Sequence, residues 1–160
     1  MAGAQSWHVR VTANLSGMLY NRLRSRGCEF FNSDMRVRVK AGDLWTYPDL
    51  SALCGEAKLE TAGNLQSLVN PPVIFEVPSP SKEVFDKGDK FRRYRLLESL
   101  TDYVLVSNDR WKVKHHHVQE NGVWVCDEYT HPASVFRLAS LDCDLPLAEV
   151  YEDVAFPEDS

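Results

Sequence analysis

Apolar residues recur at Val11, Leu15, Met18, Leu19 and Leu23, a spacing of three and four that places them on one helical face. The chain from about Ser6 to Arg26 therefore reads as an amphipathic helix lying flat on a sheet, and Gly27 suits its C-terminal stop. The period then changes. Val37 and Val39 alternate with Arg36, Arg38 and Lys40, and Asn32-Ser33-Asp34 has turn chemistry, so Cys28 to Phe31 and Met35 to Lys40 are expected to form a β-hairpin with one wet face. Tyr47 to Cys54 reads as a third strand, and Gly55 to Asn70 as a polar loop without periodicity, ended by Pro71-Pro72. Val73 to Val77 is apolar except for Glu76, the pattern of a strand buried on both faces in the middle of a sheet.

A second helix is expected next, with Ser79 or Ser81 as cap and Glu83 in the first turn, where the helix dipole favours an anion. Val84, Phe91 and Tyr94 form its core-facing stripe, with Asp86 and Lys90 on an adjacent face. Asp102 to Ser107 reads as a strand, and Arg110 to Gln119 and Val123 to Tyr129 as a hairpin turning at Glu120-Asn121-Gly122. Val135 to Leu138 suggests a short strand and Leu145 to Tyr151 a short helix. This order of elements implies an α/β (α+β) fold, a central mixed β-sheet flanked by helices, with Val73 to Val77 at its buried centre.

Composition narrows the class. A chain of 160 residues with 44% apolar side chains is expected to form one domain, over residues 1–152, with an acidic tail at 153–160. No run approaches the roughly 20 apolar residues of a membrane span. The N-terminus lacks the apolar centre of a signal peptide, so a cytoplasmic protein without a membrane partner is expected. Cys28, Cys54, Cys126 and Cys143 are far apart with no C-x-x-C pair, and are read as reduced, mostly buried thiols. The net charge of −5 argues against a nucleic-acid partner until its distribution is considered. Seven acids and no Lys or Arg lie in residues 142–160, which leaves 18 bases against 16 acids in residues 1–141. Two basic clusters in that body could meet phosphates: Arg22, Arg24 and Arg26, and Lys87, Lys90, Arg92, Arg93 and Arg95. The alternative is that both are solvated helix faces.

The candidate chemistry starts from Glu76. A carboxylate inside an apolar strand is costly unless it is paired, metal-bound or protonated. If the strand carrying Asp49 lies beside it, the two acids meet at one edge of the sheet. Magnesium could then take both carboxylates, the Val77 carbonyl, waters and a substrate phosphate oxygen, with manganese as a substitute. Lys90 is placed to orient the attacking water or to neutralise developing charge, and Asp86, one turn before it, to support it. The competing reading makes Glu76 the partner of a neighbouring Arg and Asp86–Lys90 an ordinary helix ion pair, worth a few tenths of a kcal/mol.

Three blocks carry a resemblance: Tyr47 to Gly55, Pro72 to Ser81 with Glu76-Val77-Pro78-Ser79-Pro80-Ser81, and Phe85 to Tyr94. With His8, Asn14-Leu15, Asp34 to Val39, Asp102 to Val106 and Leu141 to Tyr151, they resemble the Uma-two family of restriction-endonuclease-like proteins, within the PD-(D/E)XK nuclease superfamily. The likeness covers about residues 7–152. It implies the restriction-endonuclease-like fold, a magnesium-dependent site with Asp49 and Glu76 as metal ligands, and DNA as substrate. The superfamily's Lys usually stands two residues after the strand acid; Pro78 occupies that place here, so Lys90 of the next helix is expected to replace it. Relatives usually carry a further segment ahead of the His8 helix, which this chain does not show. The alternative to a metal-dependent endonuclease is therefore a catalytically silent binding module on the same fold, completed by a partner chain or by a homodimer.

Other candidates are weaker. His115 and His117 would share one face of a strand and His116 the other, so no three converge, and an exposed strand is expected. His8 is a candidate for a supporting polar contact beside the site. Trp7, Trp45, Trp111 and Trp124 read as core or edge aromatics in preference to base-stacking platforms.

Overall fold

Helix α1, Ser6–Leu23, forms where the periodicity places it, in a computed structural model that describes residues 5–78 and 88–156 of the chain. All five stripe residues are buried. The Arg24 N–H still bonds the Tyr20 carbonyl, and Gly27, at φ +71°, takes the left-handed turn into β1 (Cys28–Phe31). There follow β2 (Arg36–Val39), β3 (Leu44–Thr46), β4 (Leu50–Cys54), β5 (Leu59–Ala62), β6 (Leu65–Leu68) and β7 (Val73–Glu76). Helix α2 (Asp89–Tyr94) precedes β8 (Asp102–Val106), β9 (Val113–Val118), β10 (Trp124–Tyr129) and β11 (Val135–Leu138). A 3₁₀ turn at Ala139–Leu141, β12 (Cys143–Pro146) and α3 (Leu147–Val150) complete the order.

The main sheet has six strands in the order β1-β4-β7-β8-β9-β10. Only β7 and β8 run parallel; every other neighbour is antiparallel. A parallel pair needs a crossover, and the segment containing α2 supplies it. The expected inner strand is thus at the centre, with all four residues of β7 buried. One face of the sheet, at Leu50, Ala52, Val73, Phe75, Val77 and Val104, packs against α1, α3 and the β11–β12 ribbon. The opposite face, at Leu53, Ile74, Tyr103 and Leu105, packs against Val37, Val39 and Leu68 of a second sheet and Tyr94 of α2. Side chains alternate along a strand, so Glu76, two after Ile74, belongs to this second face.

Several expectations are corrected. Cys28 to Phe31 and Met35 to Lys40 do not form a hairpin. β1 pairs with β4 in the main sheet, whereas β2 joins a four-stranded sheet of order β3-β2-β6-β5. The turn residues between them turn the chain from one layer to the other. The Gly55 to Asn70 stretch is no plain loop, because β5 and β6 pair across Gly63-Asn64, with Gly63 at φ +64°. The third strand begins at Leu50, not Tyr47, and β12 takes the start of the expected last helix.

Cys28 and Cys54 stand opposite each other in the β1–β4 register and are joined as a disulfide, which overturns the reading of four reduced thiols. Sequence spacing carried no sign of this, since antiparallel pairing brings together residues 26 positions apart. Cys143 is buried and Cys126 exposed. The histidine strand is likewise not an exposed one. His115 is buried with its Nε2 2.6 Å from Asp102 Oδ2, while His116 packs on the other face against Phe91. Of the first basic cluster, Arg22 pairs with Glu149 and Arg26 with Asp142, so the acidic C-terminal region consumes these charges.

Candidate active site

β4 and β7 are antiparallel neighbours with Leu50 opposite Phe75, so one step further along the register sets Asp49 across from Glu76. The meeting of the two acids thus follows from strand pairing. Pro48 is buried before Asp49, and Asp49 Oδ2 accepts a 2.7 Å hydrogen bond from the Val77 N–H. This bond ties the end of β7 to the start of β4 and fixes the Asp49 carboxylate at the strand ends.

Glu76 is 7% exposed. Its Oε1 lies 3.0 Å from Lys90 Nζ, on the first turn of α2, and accepts a 3.2 Å hydrogen bond from the Tyr94 hydroxyl one turn later. Lys90 and Tyr94 are four residues apart and so share a helix face. The Tyr94 hydroxyl is also 3.2 Å from Thr46 Oγ1, which joins β3 of the second sheet to the same carboxylate. Burial pushes the Glu76 carboxyl up from 4.5 to about 7, against the opposing pull of the Lys90 ammonium, and the nearby charge of Asp49 pushes it further in the same direction. Burial also holds the Tyr94 phenol far above its ordinary range, so it remains a proton donor.

On the other side of Asp49, His8 Nε2 of α1 approaches Oδ1 at 3.9 Å. Asn108 Nδ2, buried after β8, lies 3.4 Å from His8 Nδ1. An amide nitrogen can only donate, so this contact puts the proton of a neutral His8 on Nε2, toward Asp49.

The residues expected from the sequence therefore assemble in large part. At the ends of β4 and β7, Asp49 contacts the Val77 N–H and approaches His8, while Glu76 pairs with Lys90. Asp86 and Lys87 lie outside the described residues. Arg92 is exposed on α2, and Arg93 reaches back to the Gly42 carbonyl at 3.3 Å. Thr46, Tyr94 and Asn108 were not read as site residues. For Tyr94 there was a signal: a phenol in a core-facing stripe needs a polar partner for its hydroxyl.

Asp49 and Glu76 are the carboxylates here that could contribute to a divalent-cation site. Two carboxylates interact electrostatically across the strand ends, and one of them is buried deeply enough that its charged form is disfavoured without a counter-charge. Among the described residues no group of three or more His, Cys, Asp or Glu converges. An ion held by one or two carboxylates completes its shell with waters.

The same architecture is found in a solved structure, that of a "putative nuclease belonging to DUF820" from Anabaena variabilis. The two superpose with a TM-score of 0.74 at 15% identity, covering 94% of this chain and 83% of that one. A mixed sheet with flanking helices and this strand order belongs to the restriction-endonuclease-like class of folds. The family described as "Uma2: Putative restriction endonuclease" matches residues 1–148, and the chain belongs to that family. Two proteins of Synechocystis sp. are similar over most of the chain. Uncharacterized protein slr1290 is 30% identical over 98% of this chain and 80% of its own length. Uncharacterized protein sll1609 is 34% identical over 80% of this chain and 72% of its own. Among the described residues no helix is long and apolar enough to cross a membrane.

Proposed function

We propose that the protein is a magnesium-dependent endonuclease that hydrolyses DNA phosphodiester bonds. The observation that carries this reading is the convergence of Asp49, Glu76 and Lys90 at the paired ends of β4 and β7, with Glu76 buried and its proton held to about pH 7. Asp49 and Glu76 would hold the cation, with the Val77 backbone beside them. When bound, such an ion supplies Lewis-acid polarisation of a phosphoryl oxygen and acidifies a water. The chain's own groups do the rest. Displacing the Lys90 ammonium from its 3.0 Å pairing with Glu76 would free a cation for the non-bridging oxygens, where negative charge grows as water attacks. Tyr94 and Thr46 hold the Glu76 carboxylate in orientation, and His8, with its proton toward Asp49, restrains the other ligand.

The competing reading is a silent binding module on the same fold, acting with a partner chain or a second copy. It is favoured by the same ion pair, since Lys90 already offsets the Glu76 charge. Manganese and magnesium titration by calorimetry on the wild type and on Asp49→Asn, followed by a plasmid-nicking assay, separates the two. Binding in the wild type, at least tenfold weaker binding in the variant and nicking only by the wild type are expected. No metal binding in either protein would leave the fold without the chemistry.

A further inference from the structure

Of the four tryptophans, Trp45 is the exposed one among the described residues, at 42%, and Tyr47 beside it is 51% exposed. The alternation of β3 explains this. Leu44 packs into the second core and Thr46 turns inward to Tyr94, which sends Trp45 to the outer face of the four-stranded sheet. There it stands opposite Arg38 in the β2–β3 register. The guanidinium carbons of Arg38 and Arg36 lie 3.8 Å and 4.4 Å from the centre of its ring. Lys40 continues the same row and is 64% exposed at its side chain. Among the described residues one carboxylate answers two of these three cations: Glu60 of β5 is 2.6 Å from Lys40 Nζ and 3.6 Å from Arg38 Nε, while Arg36 donates to the neutral Ser67 hydroxyl. In a chain of net charge −5 this face is locally cationic and aromatic.

We infer that this face, built on Trp45, Tyr47, Arg36 and Arg38, is a docking platform for unpaired bases, so that the site acts on DNA with a single-stranded segment. The inference rests on the nuclease reading and specifies its substrate. Single-stranded nucleic acid is recognised by aromatic rings that stack on bases, which are sequence-tolerant, together with cations that follow the backbone. An indole carrying guanidiniums within cation–π distance combines both in one place. Duplex DNA keeps its bases stacked inside and offers no ring to Trp45. The location links platform and chemistry. β3 is the edge strand of its sheet, and Thr46, the residue after Trp45, is joined to Glu76 through the single hydroxyl of Tyr94. A strand stacked on the outer face has one edge to round before its backbone reaches the carboxylates.

The test is fluorescence anisotropy in EDTA, where no cleavage occurs, with a labelled oligothymidylate and a duplex of equal length. The wild type, Trp45→Ala, Trp45→Phe and the double variant Arg36→Ala/Arg38→Ala are compared, each checked for folding by circular dichroism. Tighter binding of the single strand is expected. Trp45→Ala should weaken it about tenfold or more, and Trp45→Phe should recover most of that loss. The double arginine variant should flatten the dependence of log Kd on log salt by roughly 0.7 for each phosphate that the two guanidiniums neutralise in the wild type. A wild type that prefers duplex or binds neither probe, or a Trp45→Ala protein that binds as well as the wild type, overturns the platform. The nuclease reading is judged separately by manganese-dependent nicking. Nicking without single-strand preference discards the platform alone, and single-strand binding without nicking discards the nuclease and keeps the platform.

Discussion

Glu76 shows how a single residue can carry a structural cost and, under the proposed function, a metal ligand's role. Its carboxyl ordinarily titrates at 4.5 and in the folded protein at about 7, because burial disfavours the charge more than Lys90 restores it. Below pH 4.5 the group is protonated in both folded and unfolded chains. Between 4.5 and 7 the folded chain holds a proton that the unfolded chain releases, so stability present at low pH is lost as pH rises through about 7. The full effect is on the order of 3 kcal/mol. Urea unfolding in EDTA should therefore find Glu76→Gln gaining on the wild type by about that amount between pH 4.5 and 8. Under the proposed function, excess magnesium should remove the gain by stabilising the ionised form in the wild type alone. A difference independent of pH would mean that the Lys90 pair fully supports the charge. The sequence already pointed to Glu76 and Asp49, because an acid in an apolar strand and a Pro-Asp at a strand end are both local anomalies. It did not point to Thr46 or Asn108, whose roles depend on groups from distant parts of the chain.

Among the elements, legibility followed burial. α1 and β7 were readable because one face or both are buried, which forces a period of 3.6 or a continuous apolar run. β5 and β6 were not: most of their residues are at least partly exposed, including Leu59 and Leu65, so no alternation is imposed, and Gly63-Asn64 was the single turn signal. β8 and β9 hold a different kind of information. Asp102 on β8 receives His115 Nε2 at 2.6 Å and the Thr101 hydroxyl at 2.7 Å, at the end of the strand away from Glu76. Both Asp102 and His115 are buried. Removing one member of a buried pair leaves the other without its partner, so Asp102→Ala should cost about 3–5 kcal/mol in denaturant unfolding. A loss below about 1 kcal/mol would place the pair with ordinary surface ion pairs. The His115-His116-His117 run is thus explained as a cross-strand polar contact on one face and an aromatic contact with Phe91 on the other.

For the whole molecule, the disulfide is the clearest long-range constraint. It ties the edge strand β1 to β4, at the opposite end of that strand from Asp49. Unfolded but unreduced protein should titrate two thiols per chain, from Cys126 and Cys143, and reduction should lower the thermal midpoint by the equivalent of roughly 3 kcal/mol for a loop of this length. Four titratable thiols before reduction would restore the all-reduced reading. The separation of β1 and β2 into the six-stranded and the four-stranded sheet rests, like this cross-link, on the pairing of β1 with β4. β1 crosses to β4 in place of turning back onto β2, and Leu53 and Ile74 pack with Val37 and Val39 between the two layers. Local energetics wrote the helix, the buried strand, the two acids and the family resemblance into the sequence. An amphipathic face or a buried charge leaves its mark within a few residues. Strand partners, the disulfide, the outward aim of Trp45 and the hydroxyl that joins Thr46 to Glu76 arose from pairings between residues tens of positions apart. Their energies appear only when the chain has closed on itself.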